Sequence, residues 1–288
     1  MNLSPFIESW SLFARPYLLT ILAAMALSIL GVVTAARRQV FMAAAVAQAS
    51  TFGFAVFALF VGAAATQAPG SLMRDAVVIG SAVAASLLTM LGDGRQTQGS
   101  RLDGDERTAW VFIAAGAGAI LVLAQAPAGM EQFRRMQASS VIGATTLDVV
   151  VFAALLVLMA GVLIWAGRSI VLLLSDPVMA AAIGMRVRTW DTAVAVFSGV
   201  CVGLGVRSTG MLFTFGCLAL PVMIAKQACG EVRSMFWVSP LVAAVSALVG
   251  LWLSYVWDLP PGQVVVALMC VLLLIAAAGR RAWDTVSR

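Results

Sequence analysis

A chain of 288 residues that is 62% hydrophobic and only 11% charged, with mean hydropathy +1.00, is not an ordinary soluble globular protein, which carries about a quarter charged residues. Its apolar blocks reach the roughly 20 residues that cross a hydrocarbon core of about 30 Å, and the alternating segments of about 10 residues that build a transmembrane barrel are absent. A net charge of +5 calls for no nucleic acid, because helical membrane proteins gather Lys and Arg in cytoplasmic loops.

In chain order, the start MNLSPFIESWSLFARPY lacks a basic region followed by an apolar core and a small-residue site, so no cleaved signal is expected. Nine spans are expected, at about 17–36, 40–63, 76–92, 109–127, 148–167, 190–207, 210–226, 238–257 and 262–279. All-round apolarity suits helices that must satisfy their own backbone in lipid. The longest polar loop is GDGRQTQGSRLDGDER at 92–107. No linker or second domain interrupts the blocks, so residues 1–288 read as one all-α polytopic membrane bundle. The sixth and seventh spans are joined only by Ser208 and Thr209; they read as two spans or as one re-entrant or broken helix.

Orientation follows from the cations. With the N-terminus outside and the C-terminus in the cytoplasm, only Arg15, Arg74, Arg134, Arg135 and Arg207 of the 18 Lys and Arg lie outside, a positive-inside distribution. Segment 168–189 is then cytoplasmic. Within it Asp176-Pro177 is a helix start, VMAAAIG gives about two turns of good helix formers, and Gly184 stops them. The expectation is a short helix at the inner surface, or an ordinary connecting turn.

Polar chemistry inside the spans is sparse. Gln48, Ser50 and Thr51 form the most polar patch, with Gln48 either bonding across helices or lining a path. Thr214 and Cys217 are the notable groups of the seventh span, and with Gln48, Ser50 and Thr51 they are the candidates for lining a translocation path. Asp148 and Asp258 read as helix-end residues. Cys201, Cys217 and Cys270, with Met42 and Met211, are soft groups whose ordinary use is packing. Gly199-x-x-x-Gly203 permits close helix approach without saying to what. The chain has no His, and no glycine-rich nucleotide loop of the GxxxxGK[ST] kind is present.

Four segments resemble the metal-type ABC transporter permeases, membrane subunits of zinc, manganese and iron importers. DPVMAAAIGMRV, from Asp176, is similar to that family's DP segment. Arg207-x-x-Gly210 followed by LFTFGCLALP, ending at Pro221, is similar to its arginine–glycine–leucine–proline block. LSYVWDLPPGQVVV, carrying Asp258, Pro260, Pro261 and Gly262, resembles the turn before its last helix. LGVVTAARRQVFMAAAVAQASTFG, with Arg37 and Arg38, resembles its second span. The likeness touches residues from about 15 to 280.

It implies a type II importer permease of about eight or nine helices in the inner membrane, one of two permease subunits in a homo- or heterodimer. Two cytoplasmic ABC ATPases and an extracytoplasmic solute-binding protein would be its partners, besides membrane lipid. The chain would bind no cofactor and catalyse no reaction, ATP and Mg²⁺ being used by the ATPase. Asp176, Pro177, Val178, Met179, Ala182, Ile183, Gly184, Met185 and Arg186 would form the ATPase-docking segment, with Arg188 flanking it. One departure stands out. The family's second span carries an Asp and, four residues on, a His, whereas the matching positions here are Ala44 and Gln48. Either a second, non-identical permease keeps the ligands, or the cargo differs, or the ion passes without a strong intramembrane site. A ligand-less scaffold or regulatory subunit is the alternative.

Overall fold

The computed structural model describes residues 4–37, 39, 41–61, 72–90, 104–125 and 144–286. Among these, every regular element is an α-helix: α1 Ser4–Ala36, α2 Met42–Val61, α3 Leu72–Met90, α4 Gly104–Ala124, α5 Thr146–Ser175, α6 Pro177–Ala182, α7 Val187–Thr209, α8 Met211–Ala228, α9 Val232–Trp257 and α10 Pro261–Val286. Each of the nine expected spans falls on a helix. Among the described residues, eight helices are long and apolar enough to cross a membrane. The ninth is α3, whose apolar part Asp75–Thr89 covers about 22 Å at 1.5 Å per residue.

Two expectations shift in detail. α5 runs on from the expected boundary at 167 through Arg168 to Ser175. One arginine in IWAGRSIVLLLS does not interrupt good helix formers, and its long stem can lie along apolar surface while the charge reaches water. The sixth and seventh spans are two separate helices, and the break falls at Gly210 rather than at Ser208-Thr209. Gly210 has φ 85°, a conformation glycine adopts without strain, and its N–H closes α7 on the Val206 carbonyl at 3.2 Å. α8 then stays helical through the buried Pro221.

The helices form two compact units. One holds α1, α5, α8, α9 and α10. Here α1 packs against both α5 and α9, and α9 against α10. The Ser239 hydroxyl of α9 donates to the Ser28 carbonyl of α1 at 3.4 Å. Close approach is made by glycine: a Cβ on Gly31 would lie 2.0 Å from the Leu218 carbonyl oxygen of α8, and one on Gly250 would lie 2.9 Å from Val265 Cα of α10. Arg280 of α10 donates to the carbonyls of Lys226 and Gln227, at 2.8 and 3.1 Å, satisfying the open C-terminal end of α8.

The other unit holds α2, α3, α4, α6 and α7. α2 packs on α3 and α4 around Phe54, Ala55, Ala58, Val78, Ala119 and Leu123. α7 runs antiparallel to α3 in a regular register. Ala195 accepts from the Ser86 hydroxyl at 2.6 Å, Gly199 abuts Val83, Gly203 abuts Ile79 and Ala82, and Arg207 reaches Asp75. The Gly199-x-x-x-Gly203 pattern is therefore used within the chain, against α3.

Candidate functional site

The segment after α5 builds a rigid knob from local chemistry. Asp176 is the N-cap of α6, its Oδ1 accepting the Met179 N–H at 2.9 Å, and Pro177 takes the first helical position, where no backbone donor is needed. The other end closes as a Schellman motif. The Met185 N–H bonds to the Ala180 carbonyl at 3.1 Å and the Gly184 N–H to the Ala181 carbonyl at 3.0 Å, with Gly184 at φ 86°. A six-residue helix does not persist alone in water; two complete caps hold this one.

What the knob presents is unusual for a surface. Ala180 is fully buried, while Val178, Met179 and Ile183 are 78%, 51% and 58% exposed. Met179 and Ile183 are four residues apart, as are Val178 and Ala182, so each pair shares a face. Arg186 and Arg188 are exposed beside them. An exposed apolar patch rimmed by charge marks a contact with another macromolecule.

The second-span patch is partly tied up. The Thr51 hydroxyl donates to its own helix at the Ala47 carbonyl, 3.0 Å away. Gln48 sits against α4, where a Cβ on Gly116 would be 3.5 Å from its Oε1. Among the described residues, Gln48 Oε1 and the buried Ser50 Oγ have no hydrogen-bond partner, so this turn of α2 retains unused polarity where Ala44 is buried. Thr214 and Cys217 are buried on α8, in the other unit. Cys201 is buried and Cys270 exposed. Among the described residues, no three Cys, Asp or Glu side chains gather into a metal-binding group.

The helix-end residues are clear. Thr145 caps α5, its N–H and hydroxyl bonding to the Asp148 carboxylate at 3.0 and 2.7 Å. Asp258 ends α9 in the left-handed conformation, φ 50°, before Pro260, Pro261 and the buried Gly262 open α10. The Arg37 N–H extends the end of α1, bonding to the Val33 carbonyl at 3.3 Å; Arg38 lies outside the described residues. Arg207 has a partner that sequence reasoning missed, Asp75. The available signal was an acid in the first turn of one helix and a base in the last turn of another, each suited to its helix dipole.

Comparison with known proteins agrees with the motifs. The chain is 23% identical over 186 residues to the manganese transport system membrane protein MntC of Listeria innocua, covering 65% of this chain and 66% of that protein. It is 24% identical over 197 residues to the protein of the same name from Halalkalibacterium halodurans, covering 68% and 67%. In fold it resembles PsaBC from Streptococcus pneumoniae, solved in complex with a Fab, with TM-score 0.77 at 15% identity, covering 96% of this chain and 95% of that one. The model of the ABC 3 transport family matches residues 9–280, and the chain belongs to that family.

Proposed function

We propose that this chain is the membrane-spanning permease subunit of an ATP-driven importer of a divalent transition-metal ion, with manganese the first cargo to test. Family membership and the manganese-transport relatives support the reading, and α6 is the observation that carries it. A capped helix between two spans, presenting Val178, Met179 and Ile183, serves a transporter that must be moved by a soluble motor. ATP hydrolysis belongs to that partner. The N-terminus lies outside and the C-terminus in the cytoplasm, so α6 faces the ATPase. An extracytoplasmic binding protein delivers the ion, and a second permease completes the path. ATPase closure reaches the spans through α6 as a rigid-body movement.

Ala44 and Gln48, where the family has Asp and His, favour a heterodimer whose other permease supplies the ligands, because a neutral amide is a poor ligand for such ions. The same residues motivate the second reading, a ligand-less scaffold or regulatory subunit. Reconstitution of the chain with its ATPase and binding protein in vesicles, with and without the second permease, distinguishes them. Mn²⁺, Zn²⁺ or Fe²⁺ uptake requiring both permeases is expected. Full uptake with this chain as the only permease removes the heterodimer. Undiminished uptake when this chain is omitted removes the importer reading altogether.

A further inference from the structure

Within the unit that holds α1, α5 and α9, a groove of about 960 Å³ opens between α5 and α9. Both helices pack on α1, which floors the groove with Met25 and Ile29. Its walls are almost wholly apolar, with Leu156, Ala160 and Leu163 on α5 facing Phe236, Leu241 and Ala244 on α9. Two charges interrupt them, Arg168 and Arg233, and among the described residues no acidic one lines the groove. Two candidate spans, α7 and α8, separate the helices in sequence, so α5 ends on the membrane face where α9 begins. Both arginines therefore belong to one face.

Lengths identify the occupant. From Arg168 back to Leu156, and from Arg233 forward to Ala244, the helices rise about 18 and 16 Å. Half of a hydrocarbon core of about 30 Å is about 15 Å. The α9 wall thus runs from Arg233 at the interface to about the bilayer middle, the span of one lipid leaflet; the α5 wall covers the same depth above Arg168 and continues below it through Val171 and Leu172 to Ser175.

We propose that this groove binds an anionic phospholipid, its phosphate held by Arg168 and Arg233 and an acyl chain laid between α5 and α9 over Met25 and Ile29. Charge argues against the competing occupants. A two-fold copy of this chain seated here would bring guanidinium groups toward their own images, and a divalent cation would meet two positive charges. A phosphate is attracted by both, and basic pockets between membrane helices recognise such headgroups. The site depends on the membrane topology and not on the cargo.

The test is lipid retention by the full chain in a mild detergent, read by native mass spectrometry with phosphatidylglycerol and phosphatidylcholine titrated separately. Phosphatidylglycerol is expected to bind at least ten-fold more tightly. Arg168→Gln with Arg233→Gln should weaken it about thirty-fold, with phosphatidylcholine unchanged, whereas Arg168→Lys with Arg233→Lys keeps most of the preference. Ala160→Phe, which fills the apolar wall, should weaken both lipids. Equal affinity of the unaltered chain for the two lipids overturns the proposal, whether or not the glutamine variant folds. So does a disulfide between two copies of an Ala160→Cys chain in vesicles, which assigns the groove to self-association.

Discussion

Arg207, in the last turn of α7, donates from Nη1 to Oδ2 of Asp75 in the first turn of α3. The two side chains are only 22% and 14% exposed, so the pair is dry enough to matter. It pins one end of an antiparallel contact whose other positions are Ile79 with Gly203, Val83 with Gly199, and Ser86 with Ala195. Removing one partner leaves a half-dry charge, which costs about 1–3 kcal/mol. Asp75→Ala is therefore expected to lower the thermal midpoint of the detergent-solubilised chain. In a double-mutant cycle with Arg207→Ala the second change should add little, and purely additive losses would show the pair uncoupled.

Glycine at the contact is a separate requirement. A Cβ on Gly199 would lie 2.5 Å from Val83 Cα and 2.9 Å from its backbone nitrogen, where no side chain can rotate away. Gly199→Ala should destabilise by about 1–3 kcal/mol or more. Gly161 on α5 has nothing within 4 Å, so Gly161→Ala should hold or raise the melting temperature through helix propensity. Similar losses at both sites would contradict the register.

For α6, separation of folding from docking is the check. Val178→Asp with Ile183→Asp changes exposed positions only, and stability should stay within about 0.5 kcal/mol, while retention of the ATPase on affinity-purified permease falls at least ten-fold. Asp176→Ala removes a cap worth about 1 kcal/mol and should weaken retention less, by fraying the helix. A permease that retains its ATPase with both aspartates in place would disprove the docking role.

Asp258 gives a backbone prediction. At φ 50° it occupies a conformation that costs most residues about 1–2 kcal/mol, and its N–H bonds to the Ser254 carbonyl. Asp258→Gly should leave stability unchanged or higher, Asp258→Asn should be nearly neutral, and Asp258→Val should be lost to strain. Melting temperatures of the three variants rank the effect, and an unchanged valine variant would refute it.

Much of this protein is local and therefore written in order along the chain. Runs of apolar residues long enough for a bilayer dictate helices, because lipid offers the backbone no other partner, and each of the nine expected spans falls on a helix in its described residues. Asp176, Pro177 and Gly184 specify α6 through bonds reaching no more than five residues. The four family motifs, spread from Leu30 to Val266, are likewise each contiguous in sequence.

Relationships across the chain were not legible. The helix-end positions of Asp75 and Arg207 suit their own dipoles but do not pair them, since the two meet only once α3 and α7 lie antiparallel. A GxxxG pattern tells that a close approach is possible, yet only the packed structure assigns Gly199 and Gly203 to α3. The extension of α5 past Arg168 escaped because a single charge looks like a membrane boundary in sequence, whereas a helix carries it on a flexible stem. The groove between Arg168 and Arg233 arises from two helices sharing α1 as a common floor, a matter of geometry between distant segments. The sequence by itself determined the helices, their caps and the family. Only tertiary structure decided which charges pair and which faces stay open, because those depend on distances that no local interaction sets.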